Sequence, residues 1–106
     1  MPEDFVKVAQ ITDIGAGETK PVKVGDEEIL LANVDGTYYA TSDICTHAYA
    51  ALSEGDLIGD EVECFLHGSR FSVKTGEPSG PPAYETLTLF QVRVEGDDIF
   101  VGPPKP

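Results

Sequence analysis

The apolar positions of this chain alternate over short spans and are interrupted often by turn residues. Phe5-Val6-Lys7-Val8-Ala9 alternates weakly and reads as a first strand; Thr19 to Val24 reads as a second, with Val22 and Val24 on one face. Between them, Ile11 to Gly17 has the look of a helical turn around Thr12 and Asp13, followed by two glycines. Glu27 to Val34 contains the run Ile29-Leu30-Leu31-Ala32, the pattern of a strand buried on both faces. Gly25-Asp26 and Asp35-Gly36 are turn signals on either side of it. The second is the clearest hairpin in the chain, with Thr37-Tyr38-Tyr39-Ala40-Thr41 as its returning strand.

Further along, Leu52 to Ile58 reads as a loop leading into a short strand, Gly59-Asp60 as a turn, and Glu61-Val62-Glu63-Cys64 as a strand. Phe71-Ser72-Val73 is a brief strand closed by Lys74-Thr75-Gly76. Glu77 to Ala83 carries Pro78, Gly80, Pro81 and Pro82 and predicts a stiff, irregular loop. Thr86 to Glu95 alternates, with Phe90, Val92 and Val94 facing one way and Gln91, Arg93 and Glu95 the other. Gly96-Asp97 turns into Asp98-Ile99-Phe100-Val101, and a proline-rich tail ends the fold. No stretch reads as a long helix, and no repeat is visible. The pattern predicts an all-β protein, and 106 residues, with 11 Gly and 8 Pro to make the turns, suit a single domain spanning 1–106.

Charge narrows the partners. Seven Lys plus Arg against 19 Asp plus Glu give a net charge of −12, a surface that repels nucleic acid and anionic lipid. Two uses of that acidity stay open: steering toward a basic face on another protein, or plain solubility. No apolar run approaches the roughly 20 residues of a membrane span. The N-terminus lacks the basic-then-apolar pattern of a signal peptide, so a cytoplasmic location is expected.

The candidate chemistry is concentrated between Cys45 and Phe71, which holds both cysteines and both histidines of the chain. They form two pairs, Cys45-Thr46-His47 and Cys64-Phe65-Leu66-His67, with 16 residues between His47 and Cys64. Without an export signal, two cysteines favour thiolate ligands over a structural disulfide. The strand Thr37–Thr41 runs through Ser42-Asp43-Ile44 into the first pair and Glu61–Cys64 into the second, so both pairs are expected at the ends of neighbouring short strands. Three chemistries compete. A tetrahedral Cys2His2 zinc site usually pairs Cys with Cys and His with His, and stabilises modules too small to fold alone. A [2Fe–2S] cluster with two Cys on one iron and two His on the other takes one ligand for each iron from each pair, which this alternation provides. A Cys–His nucleophilic couple uses only half of the set and ranks last.

Cys45-Thr46-His47 followed by Cys64-Phe65-Leu66-His67-Gly68-Ser69-Arg70-Phe71 resembles the two-loop signature of Rieske iron–sulfur proteins. Tyr39-Ala40, Ser53-Glu54-Gly55, Thr75-Gly76, Gly80-Pro81-Pro82 and Gly96-Asp97-Asp98-Ile99 extend the resemblance over nearly the whole chain. The resemblance implies a Rieske-type fold: an antiparallel β-sandwich base of three sheets, and a small cluster-binding part, about 43–83, made of two ligand loops and a proline-rich loop. It implies one [2Fe–2S] cluster, with Cys45 and Cys64 on the inner iron and His47 and His67 on the outer. The other nitrogens of those two histidines would face solvent, where an electron enters or leaves.

Departures from the family's branches select among its members. The Rieske subunits of respiratory and photosynthetic complexes carry two further cysteines in a disulfide and a membrane-anchoring helix; this chain has neither signature. They also place a Tyr near the position of Phe71, whose hydroxyl bonds a cluster thiolate. Phe71 lacks that donor, although Ser69 remains a possible one. With the acidic surface, this predicts a potential at the low end of the roughly −150 to +300 mV Rieske range. No large domain with a mononuclear iron is expected, since both histidines are already used, and Gly15-Ala16-Gly17 is not a dinucleotide fingerprint. The chain therefore resembles the ferredoxin component of bacterial aromatic-ring-hydroxylating dioxygenase systems. The resemblance implies a soluble, monomeric one-electron carrier between a flavin-dependent reductase and a terminal oxygenase, and not itself an enzyme. The expected docking face is the cluster tip, including Tyr49, Phe65 and Leu66, with Pro81 beside it. The rivals are the Rieske-type small subunit of a nitrite reductase or another oxidoreductase, and a structural zinc-binding module.

Overall fold

A computed structural model describes residues 5–44, 51–64, 70–79 and 86–104. Among the described residues there are nine strands: β1 (Val6–Gln10), β2 (Thr19–Val24), β3 (Glu27–Val34), β4 (Thr37–Ser42), β5 (Leu57–Ile58), β6 (Glu61–Glu63), β7 (Arg70–Ser72), β8 (Leu89–Glu95) and β9 (Asp98–Pro104). Two short 3₁₀ turns, Ile11–Asp13 and Leu52–Glu54, are the only helical elements among the described residues. Among those residues, no helix is long and apolar enough to cross a membrane.

All strand pairings are antiparallel. One sheet has six strands in the order β1-β9-β8-β4-β3-β2, and a second has three in the order β5-β6-β7. The larger sheet curls until its edge strands β1 and β2 come into contact. Side chains from all six of its strands then share one interior, including Ala9, Val22, Leu31, Ala40, Phe90 and Val101. This curled sheet encloses a core by itself.

β3 is the pivot of the molecule, because both of its faces are buried. Ile29 and Leu31 point into the interior of the curled sheet, whereas Leu30 and Ala32 join a second core with Leu52, Val62, Cys64, Phe71, Val73 and Leu87. The uninterrupted run Ile29–Ala32 is thus explained, each alternate residue serving a different core. The Asp35-Gly36 turn ends the strand with φ of 52° and 92°, the left-handed pair required by a two-residue hairpin. Asn33, buried just before the turn, accepts from Gly36 N–H (2.8 Å) and donates to Ile14 O (2.9 Å).

Three expectations need correction. First, β4 and β6 are not neighbours; they belong to different sheets. Second, β8 begins at Leu89 and not at Thr86, and a register shift between Phe90 and Val92 accompanies the exposure of Val94 on its far end. Third, the tail is not outside the fold, since β9 continues through Gly102, Pro103 and Pro104. Among the described residues the pairing with β1 ends at Val101, so the two prolines, which lack an N–H to donate, lie beyond that ladder. Gly102 lies against the Phe5 ring, 2.7 Å from where a Cβ would stand, and Arg93 covers the ring 4.8 Å from its centroid.

Candidate metal centre

Cys64 follows β6 directly and is fully buried, a free thiol lying in the second core with Leu52, Val62 and Phe71. A bare thiolate in such surroundings is costly, whereas one that binds a metal is deprotonated and compensated by the metal's charge. A buried, unbridged cysteine at the neck of a loop fits a cluster ligand in this respect. Cys45, His47 and His67 lie outside the described residues, as do Ser69 and Pro81 and the docking candidates Tyr49, Phe65 and Leu66. Phe71 is described. It is fully buried on β7, in the same core as Cys64.

The frame around the ligand segments is described in detail. The first segment, 45–50, leaves from Ile44 and returns at Ala51, and these two residues form an antiparallel bridge. Asp43, immediately before, donates its N–H to Glu28 O (3.0 Å) and accepts at its carbonyl from Leu52 N–H (2.6 Å). Its carboxylate is 3% exposed and takes two bonds from one residue, Ser53 N–H to Oδ1 (2.8 Å) and Ser53 O–H to Oδ2 (2.9 Å). Burial pushes the Asp43 carboxyl above its ordinary range; the Ser53 bonds oppose this, and Glu28 and Glu54 add to it.

The second segment, 65–69, spans the β6–β7 hairpin, in which Glu63 pairs with Arg70. Their side chains form an exposed ion pair across this neck, Arg70 Nε to Glu63 Oε2 at 3.1 Å, of the sort worth at most about 1 kcal/mol. The third segment, 80–85, departs beside β7: Pro78 bridges Phe71, and Ser79 N–H donates to Arg70 O (2.8 Å). The chain returns at Leu87, whose N–H bonds Gly76 O (2.7 Å) and whose side chain enters the Cys64 core. All three segments therefore spring from adjoining points of one framework.

The necks of the first two segments come from different sheets, so a connection between them is needed. It is the chain from Leu52 to Asp56. Leu52 is fully buried in the Cys64 core, Gly55 rests against the Glu63 backbone, and Glu63 N–H donates to Asp56 O (2.9 Å). Sequence reasoning gave Asp43 no role and quoted Ser53 only within Ser53-Glu54-Gly55, a stretch that resembles the family. The available signal was an acidic residue between Ser42 and Ile44 where a strand passes into a ligand loop, a place where Asp commonly bonds local backbone N–H groups.

The chain is similar to known iron–sulfur proteins. The family model of the Rieske [2Fe-2S] domain matches residues 4–95. The ferredoxin component of biphenyl 2,3-dioxygenase from Rhodococcus jostii (strain RHA1) is 45% identical over 97 residues, covering 92% of this chain and 91% of that protein. A chain of the solved complex of reduced oxygenase and oxidized ferredoxin in carbazole 1,9a-dioxygenase matches with a TM-score of 0.92 at 37% identity, covering 97% of both chains. The ferredoxin of carbazole 1,9a-dioxygenase from Nocardioides aromaticivorans IC177 matches with a TM-score of 0.89 at 33% identity, covering 93% of this chain and 97% of the other.

Proposed function

The chain belongs to the Rieske [2Fe-2S] domain family, and from that premise we propose that it is a one-electron carrier, the ferredoxin component of an aromatic-ring dioxygenase system. One [2Fe–2S] cluster of the Rieske type, when bound, would supply one-electron redox chemistry. Cys45 and Cys64 would hold it through thiolates and His47 and His67 through one imidazole nitrogen each, within a cluster-binding part at about 43–83 of a single domain.

The observation that carries the reading is the placement of Cys64. It is a fully buried free thiol at the neck of one ligand segment, and the necks of the other two adjoin it in the same core. The protein's own residues have three tasks. Cys64 and its apolar neighbours exclude water from one side of the site. The hydrogen-bonded necks hold the ligand segments in place before the cluster binds. Phe71, a buried ring without a hydroxyl, offers no hydrogen bond to a cluster sulfur, which keeps the potential low.

The solved complex of a related ferredoxin with its oxygenase supports one partner, and a flavin-dependent reductase is proposed as the other. The terminal oxygenase accepts the electron and a flavin-dependent reductase supplies it, each by a transient contact in the cytoplasm at a tip that includes Tyr49, Phe65 and Leu66. The chain transforms no substrate itself. Reconstitution tests this reading: reductase, terminal oxygenase, NADH and an aromatic substrate are combined with and without the protein. Product formation is expected to depend on it. Undiminished product in its absence, or purification of the protein with zinc in place of iron, would overturn the proposal.

A further inference from the structure

The ligand set does not account for Asp43. An acidic side chain at the start of a surface loop could remain in water at no cost, yet this one is 3% exposed and spends both oxygens on Ser53. Burying a carboxylate is unfavourable unless its bonds are kept, so the pair holds one geometry where an exposed ion pair would tolerate several. Two residues further on, Gly55 meets the Glu63 carbonyl so closely that a Cβ there would overlap the oxygen. Its φ of −93° is open to any residue, so the glycine is required by this contact and not by its backbone conformation. Glu63 N–H then closes on Asp56 O.

These contacts bind one short segment at both ends. Asp43 stands two residues before Cys45, and Glu63 stands one before Cys64. We propose that Leu52–Asp56 is a positioning strap: the Asp43–Ser53 clasp at one end and the Gly55–Glu63 abutment at the other set the separation of the two ligand necks, which arise from different sheets. Asp43, Ser53 and Gly55 are positioning residues that act through Cys45 and Cys64. The inference rests on the reading of the site as a Rieske centre.

The test uses the holoprotein as purified and follows two quantities: the rate of cluster loss to an iron chelator, by visible circular dichroism well below the melting temperature, and the midpoint potential. Ser53→Ala removes only the hydroxyl bond and leaves the fold's apolar contacts intact. Ile99→Val, in the other core, serves as a control that weakens the fold away from the strap. A hydrogen bond to a buried charged group shifts an equilibrium by roughly tenfold, so Ser53→Ala is expected to release its cluster about tenfold faster, with a displaced midpoint. Ile99→Val should match the wild type in both. Gly55→Ala should show a larger effect; if it does not fold, Ser53→Ala decides alone. A Ser53→Ala protein with the release rate and potential of the control would overturn the strap while leaving the Rieske reading standing. A wild-type protein with no iron–sulfur cluster would overturn the Rieske reading itself.

Discussion

Phe71 and Cys64 share a buried core, and the aromatic ring brings no hydroxyl into it. A Phe71→Tyr protein gains one donor, and a bond to a charged acceptor is worth about 1.5 kcal/mol. For a one-electron couple that corresponds to a rise in midpoint of up to roughly 60 mV, since a factor of ten is about 59 mV. Voltammetry of the two proteins checks this; an unchanged midpoint would show that the missing hydroxyl does not set the potential. The two cysteines and two histidines, the proposed ligands, stand out in the sequence because they are scarce and come in paired spacing. Asp43 was not legible for the opposite reason. It is one of 19 acidic residues, nearly all of which could stand in water, and only the fold reveals which one is buried. Gly55 is similar, since nothing local marks it as the point where two backbones touch.

At the scale of elements, β3 divides the molecule into a core that supports the site and a core that does not. Leu30→Ala and Leu31→Ala delete the same side chain one position apart, and each should cost about 2–5 kcal/mol by denaturant unfolding. Only Leu30 faces the core that contains Cys64. Leu30→Ala is therefore expected to speed cluster loss to a chelator and Leu31→Ala to leave it near the wild-type rate; equal rates would contradict the division. The two-faced burial of β3 and the turn at Asp35-Gly36 could both be read from the sequence, because apolar alternation and left-handed turn residues are local signals. Which strands lie side by side is not a local signal. The separation of β4 and β6 into different sheets and the continuation of β9 through Pro103 and Pro104 therefore have no local mark in the sequence. The curl of the six-stranded sheet likewise arises from accumulated twist and packing, which no single segment encodes.

For the whole molecule, the net charge of −12 should make encounter with an oxygenase depend on ionic strength. If the acidic surface steers docking, electron transfer to the oxygenase falls by about tenfold or more as salt rises past physiological strength, where charges are screened within roughly 8 Å. Leu66→Asp at the proposed tip should slow transfer at every salt concentration. Stopped-flow reoxidation measures both effects, and a rate indifferent to salt and to this substitution would remove the docking face. The central claim, a low-potential one-electron Rieske carrier, is tested most directly by a potentiometric titration of the purified protein followed by visible circular dichroism. The account predicts a single one-electron transition in the lower part of the roughly −150 to +300 mV Rieske range. A midpoint well above zero, or no redox transition at all, would contradict it.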